Sequence, residues 1–153
     1  MDCGAGSSGP CEVHLIAVWS CPERTDYKTY VTTVRKALQR HPEWLDNGNA
    51  VVAGDFNSNT VWDQKTGGGH SSLVKELEDR GLRSTYHSHF DEEQSKETRP
   101  TFHSHWSQNE PFHIDYVFIP KTWSIEALEI GSINKWLAHS DHCPIILDAS
   151  PTA

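Results

Sequence analysis

The chain has 153 residues, 36% of them hydrophobic and 22% charged, which fits one globular domain and excludes a disordered chain. Its formal net charge of −8 gives no support to broad nucleic-acid binding, because an acidic surface repels the phosphate backbone, though a local basic groove or a metal held by acidic ligands stays compatible with it. Six tryptophans argue for a real core, and no apolar run approaches the ~20 residues of a membrane span.

Residues 1–12 are rich in Gly and Ser and predict a flexible lead-in; residues 13–150 form the domain. The N-terminus lacks a charged segment followed by an apolar one, so no signal peptide is expected and the protein reads as cytoplasmic. Cys3, Cys11, Cys21 and Cys143 form no CxxC and read as reduced thiols, with a Cys11–Cys21 disulfide open only to an exported chain.

The apolar run 13–19 (VHLIAVW) predicts a strand ended by Pro22. Over 26–40, Tyr27, Tyr30, Val31, Val34 and Leu38 repeat at helical spacing, and His41-Pro42 closes the helix. Residues 50–53 (AVVA) predict a short buried strand stopping at Gly54. Ser71 or Ser72 caps a second helix with Leu73, Val74 and Leu77 on its apolar face and Gly81 at its end. Residues 87–100 read as a polar surface loop. Residues 114–119 (IDYVFI) and 144–148 (PIILD) predict two further strands. Short strands with two clear helices imply an α/β (α+β) fold, a two-layer, mostly antiparallel β-sandwich flanked by helices.

The polar residues gather at strand ends. Gly54-Asp55-Phe56-Asn57-Ser58-Asn59 follows the AVVA strand, His113-Ile114-Asp115-Tyr116 opens the next, and Ser140-Asp141-His142 precedes the last. If these strands are antiparallel neighbours, all three clusters converge on one edge. Carboxylates are hard oxygen ligands suited to Mg²⁺ or Mn²⁺. An Asp–His pair fixes the histidine's tautomer and stabilises its charged form. Asn donates to a phosphate oxygen or positions a water, and such a set serves in-line displacement at phosphorus. Each cluster alone has a plainer explanation: Gly, Asp and Asn are ordinary turn residues, and a carboxylate in an apolar strand can be a structural hydrogen-bond acceptor.

The motifs GDFNSN (54–59), HIDYVFIP (113–120) and SDHCPIIL (140–147), in this order, resemble the endonuclease/exonuclease/phosphatase superfamily, whose fold is that of deoxyribonuclease I. The resemblance spans roughly residues 13–148. It implies a divalent-metal-dependent phosphoesterase, acting on phosphodiesters or phosphomonoesters, with nucleic acid among the candidate partners and Mg²⁺ or Mn²⁺ as cofactor. Asp55 then matches the aspartate that orients or activates the attacking water and shares in metal binding, and Asn57 its companion at the phosphate. Asp141 matches a metal ligand, His142 the catalytic histidine, and Asp115 the aspartate that holds it. Two departures stand out. Members carry an early strand ending in a metal-binding glutamate, and only Glu12 lies in that direction, so the N-terminal strands of the sandwich are expected to be lacking. Trp19-Ser20 stands where many members have Asn-x-His.

His70 follows Gly67–Gly69 at a helix start, an arrangement that can receive a phosphate, and His113 adjoins Asp115; both are candidate substrate-binding residues beside Asn57. His87/His89 and His103/His105 are two H-x-H pairs, read first as exposed loop histidines and second as zinc ligands. Trp62 and Trp106 flank the proposed site and could stack on a base or pack in the core. The rival to a hydrolase is a catalytically inert fragment or phosphate-binding module of the same fold.

Overall fold

In a computed structural model, residues 12–21, 27–46, 48–66, 69–106 and 109–152 are described; residues 1–11 of the lead-in, with Cys3 and Cys11, lie outside them. Strands β1 (His14–Trp19), β2 (Ala50–Asp55), β3 (Leu82–Ser84) and β6 (Asp115–Pro120) form one sheet in the order β1-β2-β6-β3. β1 runs parallel to β2, while β2 and β3 run antiparallel to β6. β7 (Trp123–Ile130) pairs antiparallel with β8 (Ile145–Pro151), and β4 (Phe102–His103) with β5 (Pro111–Phe112). The long helices α1 (Tyr27–Arg40) and α3 (Gly69–Asp79) pack together with the four-stranded sheet, and the short helices α2 (Asp63–Thr66), α4 (Thr85–Phe90) and α5 (Ile133–Trp136) fill connections. No helix among the described residues is long and apolar enough to cross a membrane.

Alternation along the strands decides which residues reach the core. Successive side chains point to opposite faces. Val52 from β2 and Tyr116 and Phe118 from β6 join Val31, Val34 and Leu38 of α1 and Leu73, Val74 and Leu77 of α3 in one buried cluster. The residues between them, Ala53, Asp55, Asp115 and Val117, line a cleft on the other face. On β1 the same rule sends Ile16 and Val18 toward the core and leaves Leu15 66% and Trp19 78% exposed.

Several local expectations change. β2 runs through Asp55 rather than stopping at Gly54, so the first cluster begins inside the strand. α3 starts at Gly69, ahead of Ser71. Its leading amides are satisfied by Asp63, whose carboxylate accepts from the N–H of His70 at 2.9 Å and of Ser71 at 3.0 Å; a carboxylate from the preceding turn replaces the local serine cap. The stretch 87–100 is not all loop. It opens inside α4, and beyond it the Glu92 carboxylate accepts from Tyr86 Oη at 2.7 Å and from the N–H of Thr98 at 2.8 Å.

The histidines are also more interior than expected. His70 is 1% and His113 3% exposed. His70 Nδ1 meets Ser58 Oγ at 2.8 Å, and His113 Nδ1 donates to the Arg99 carbonyl at 3.0 Å. Both rings pack on Tyr116, with centroids 4.7 and 4.9 Å away. They therefore stand in the core rather than at a substrate surface, and the substrate-binding expectation for both is corrected. His87, on α4, is held between Ser84 Oγ at 2.8 Å and Glu97 at 3.1 Å, and His103 is 4% exposed; only His89 and His105 are exposed as a loop histidine would be. No three His, Cys, Asp or Glu side chains among the described residues are grouped to hold a metal, so the H-x-H zinc alternative finds no support. Cys21 is free and exposed, and Cys143 free and buried.

Two stability predictions follow from this packing. Gly54 has φ +137°, and a Cβ there would lie 2.0 Å from the Val18 carbonyl oxygen on β1, whereas Gly48, φ +74°, faces open space. Gly54→Ala should destabilise the domain by about 3 kcal/mol or more, against about 1 kcal/mol for Gly48→Ala, in urea titrations. Equal losses would contradict the close β1–β2 approach. Burial pushes the His70 imidazole down to about 4. Unfolded His70 therefore binds a proton below about pH 6.5 that folded His70 refuses, so its contribution is intact above that pH and is lost as pH falls toward 4, by up to about 3 kcal/mol. Burial lowers His113 in the same sense. Denaturation at pH 7 and pH 5 should show a smaller loss in His70→Asn than in the parent; identical losses would exclude His70 as a source.

Candidate active site

Asp55 and Asp115 are directly opposite each other in the antiparallel β2–β6 ladder. Opposed residues share a face, so both carboxylates look into the same cleft of about 570 Å³, along with Trp19, Trp136, Ser140 and His142. Like charges placed across a ladder repel, and each carboxylate is held by a separate device.

Asn57 holds Asp55. Its backbone N–H donates to Oδ1 at 2.8 Å and its Nδ2 to Oδ2 at 2.7 Å, while the same Nδ2 donates to the Ser20 carbonyl at 2.9 Å. The turn needs Asn57 at φ 47°, a left-handed conformation that Asn tolerates better than most residues. Both Nδ2 hydrogens are thereby used on protein acceptors, so in this conformation Asn57 orients Asp55 instead of facing a phosphate with its amide. Burial pushes the Asp55 carboxyl up to about 6, the charge of Asp115 adds to the rise, and the Asn57 amide opposes it.

His142 holds Asp115. Its Nδ1 lies 2.9 Å from Asp115 Oδ2, so with that nitrogen donating, Nε2 is left for other chemistry. The hydrogen bond to Asp115 is the main cause that raises the His142 imidazole above its ordinary range, against burial, with the charges of Asp115, Asp55 and Asp141 assisting. The backbone N–H of His142 donates to Ser140 Oγ at 3.0 Å. Asp141 is half-buried beside it and is not among the residues lining the cleft; its carbonyl accepts from the His103 N–H at 2.8 Å.

The structure thus brings Asp55, Asn57, Asp115 and His142 together, with Asp141 next in chain. The route differs from the one expected. Only the first two clusters meet as antiparallel neighbours; β8 belongs to a different sheet, and His142 reaches Asp115 through an isolated bridge to Phe102, whose ring centroid lies 4.8 Å from its own. Ser20 and Ser140 also build this region, as do Thr101 and Trp136, which were not singled out from the sequence. Ser20 entered the sequence reading as a departure from the family pattern, and Ser140 as the start of the third cluster. Trp62 packs on Phe112, centroids 5.2 Å apart, in a second hollow that Asn57 also borders, while Trp106 is 53% exposed.

A base, a charge-stabilised histidine and a shared cleft can activate water and neutralise a developing oxyanion. The carboxylates offer hard oxygen donors but, among the described residues, no three-ligand cage. Asp55 and Asp115 are the carboxylates that line the cleft, and hard oxygen donors of this kind suit a cation that keeps most of its water.

No protein-family model and no curated protein matches the sequence. Solved structures do. A conserved protein of unknown function from Enterococcus faecalis aligns with TM-score 0.63 at 17% identity, over 95% of this chain and 53% of its own. A 3′-5′ exonuclease from Neisseria meningitidis aligns with TM-score 0.57 at 16% identity, over 89% and 60%. An endonuclease/exonuclease/phosphatase from Beutenbergia cavernae aligns with TM-score 0.54 at 17% identity, over 90% and 36%. The chain spans little more than half the length of the first two. What they share with it is the fold: the chain has a deoxyribonuclease-I-like fold.

Proposed function

We propose that the domain hydrolyses phosphate esters with the help of a divalent cation, Mg²⁺ or Mn²⁺. The observation that carries this reading is the Asp115–His142 pair at 2.9 Å, set beside the Asn57-held Asp55 in one cleft. The likeness in fold to a 3′-5′ exonuclease, and to a 3′ phosphatase from Neisseria bound to a product DNA hairpin, supports phosphate-ester chemistry and makes nucleic-acid ends candidate substrates.

The residues would divide the work as follows. Asp55, whose carboxyl is raised by burial when no cation is bound, is placed to take a proton from an attacking water. Asn57 fixes both of its oxygens. The water oxygen forms a bond to phosphorus as the ester P–O bond breaks, and the departing oxygen takes up a proton. His142, whose charged form Asp115 favours, would offer Nε2–H to a phosphoryl or departing oxygen. A bound cation, held by Asp141 and Asp55, would withdraw charge from the phosphoryl oxygens.

A phosphate-binding module without turnover is the rival, favoured by the lack of a three-ligand cage among the described residues. Hydrolysis of bis(p-nitrophenyl) phosphate with Mg²⁺ or Mn²⁺ separates the two. Turnover should vanish with a chelator and fall about 10²–10⁴-fold in Asp55→Ala and in His142→Ala. Saturable phosphate binding without turnover would favour the module, and activity unchanged in both variants would remove these residues from the mechanism.

A further inference from the structure

We infer that Thr101 is a positioning residue that sets the Asp115–His142 pair at its working separation, a role that rests on the hydrolase reading of the same cleft. Asp115 opens β6 in the four-stranded sheet, whereas His142 precedes β8 in the sheet of β7 and β8. Their hydrogen bond therefore joins two sheets that share no ladder among the described residues. Something must fix one against the other to within tenths of an ångström.

Thr101 touches both sides. It is 0% exposed. Its Oγ1 accepts from the backbone N–H of Ile114 and of Asp115, each at 3.1 Å. Its carbonyl accepts from the N–H of Cys143 at 2.7 Å, and its own N–H donates to the Phe112 carbonyl at 3.0 Å. One residue thus ties the amide of Asp115 and the amide following His142. The neighbours reinforce the seam, since the His103 N–H reaches the Asp141 carbonyl at 2.8 Å.

The hydroxyl matters for a geometric reason. In an extended strand consecutive N–H groups point to opposite sides, so two of them meeting on one oxygen place Ile114 outside the regular strand, which begins at Asp115. The shared acceptor thus fixes the backbone at the point where Asp115 enters β6. Thr101→Val keeps the shape and removes the acceptor, leaving two buried N–H groups unsatisfied. Thr101→Ser keeps the acceptor. Sequence alone gives no hint of this, because a threonine between proline and phenylalanine is unremarkable.

The test uses the full chain and has three readouts. The first is the low-field proton resonance of His142 Nδ1–H bonded to Asp115: it should persist in Thr101→Ser and be lost in Thr101→Val. The second is hydrolysis of the aryl diester, where Thr101→Val should lower kcat about 10–100-fold with KM within about twofold, and Thr101→Ser should restore most of it. The third needs no variant to fold: in the parent protein, the amides of Ile114, Asp115 and Cys143 should exchange with solvent slowly and as one unit. Parent-like kcat and an unchanged resonance in Thr101→Val, or fast independent exchange at these amides, would overturn the assignment. A parent without turnover would defeat the hydrolase reading, while the resonance and exchange would still decide whether Thr101 sets the pair.

Discussion

Two aspartates face one cleft from adjacent strands, and the site is organised around holding those like charges side by side. Asp55 and Asp115 are cross-strand partners in the β2–β6 ladder. Their repulsion, added to burial, is visible in the raised Asp55 carboxyl. The chain answers with two devices. Asn57 clamps one carboxylate with backbone and side-chain N–H donors, and His142 Nδ1 meets the other at 2.9 Å. A structure that only needed stability would do better with an uncharged pair here. Under the proposed hydrolysis, this placement sets a base beside an acid.

The rest of the fold supplies a rigid floor. Because side chains alternate along a strand, β2 and β6 give Val52, Tyr116 and Phe118 to the core and Ala53, Asp55, Asp115 and Val117 to the cleft. Tyr116, fully buried, is flanked by His70 and His113 and receives the Asn59 amide on its hydroxyl at 3.0 Å. Gly54 lets the Val18 carbonyl approach more closely than any side chain would allow. Thus the position before Asp55 brings β1 and β2 together, while the position after it, through Phe56, anchors the turn in the core.

Much of this was legible in the sequence because the relevant signals are local. β1, β2, β6, α1 and α3 each carry an apolar period, and Asp55, Asn57, Asp115 and His142 interrupt apolar runs at their ends. What escaped depends on contacts distant in sequence. β7 was missed because a register shift between Ile125 and Ala127 breaks its alternation, and β3 has only three residues. α4 (TYHSHF) shows no apolar helical repeat; Tyr86, Glu92 and Thr98 hold its surroundings through side-chain bonds. His70 and His113 were placed at the substrate because residue type speaks of chemistry and says nothing of burial. Thr101 shows the same gap from the other side, an ordinary residue whose importance lies wholly in what it touches.

The site depends on Asp115 holding His142. Its most direct test is the imidazole titration of His142, followed by ring-proton NMR in chelator-treated protein, for the parent and for Asp115→Asn. Because the hydrogen bond to Asp115 is the main cause of the raised imidazole, the parent should titrate above the ordinary histidine value and Asp115→Asn clearly below the parent. Equal titration in the two proteins would contradict the pairing on which the site is built.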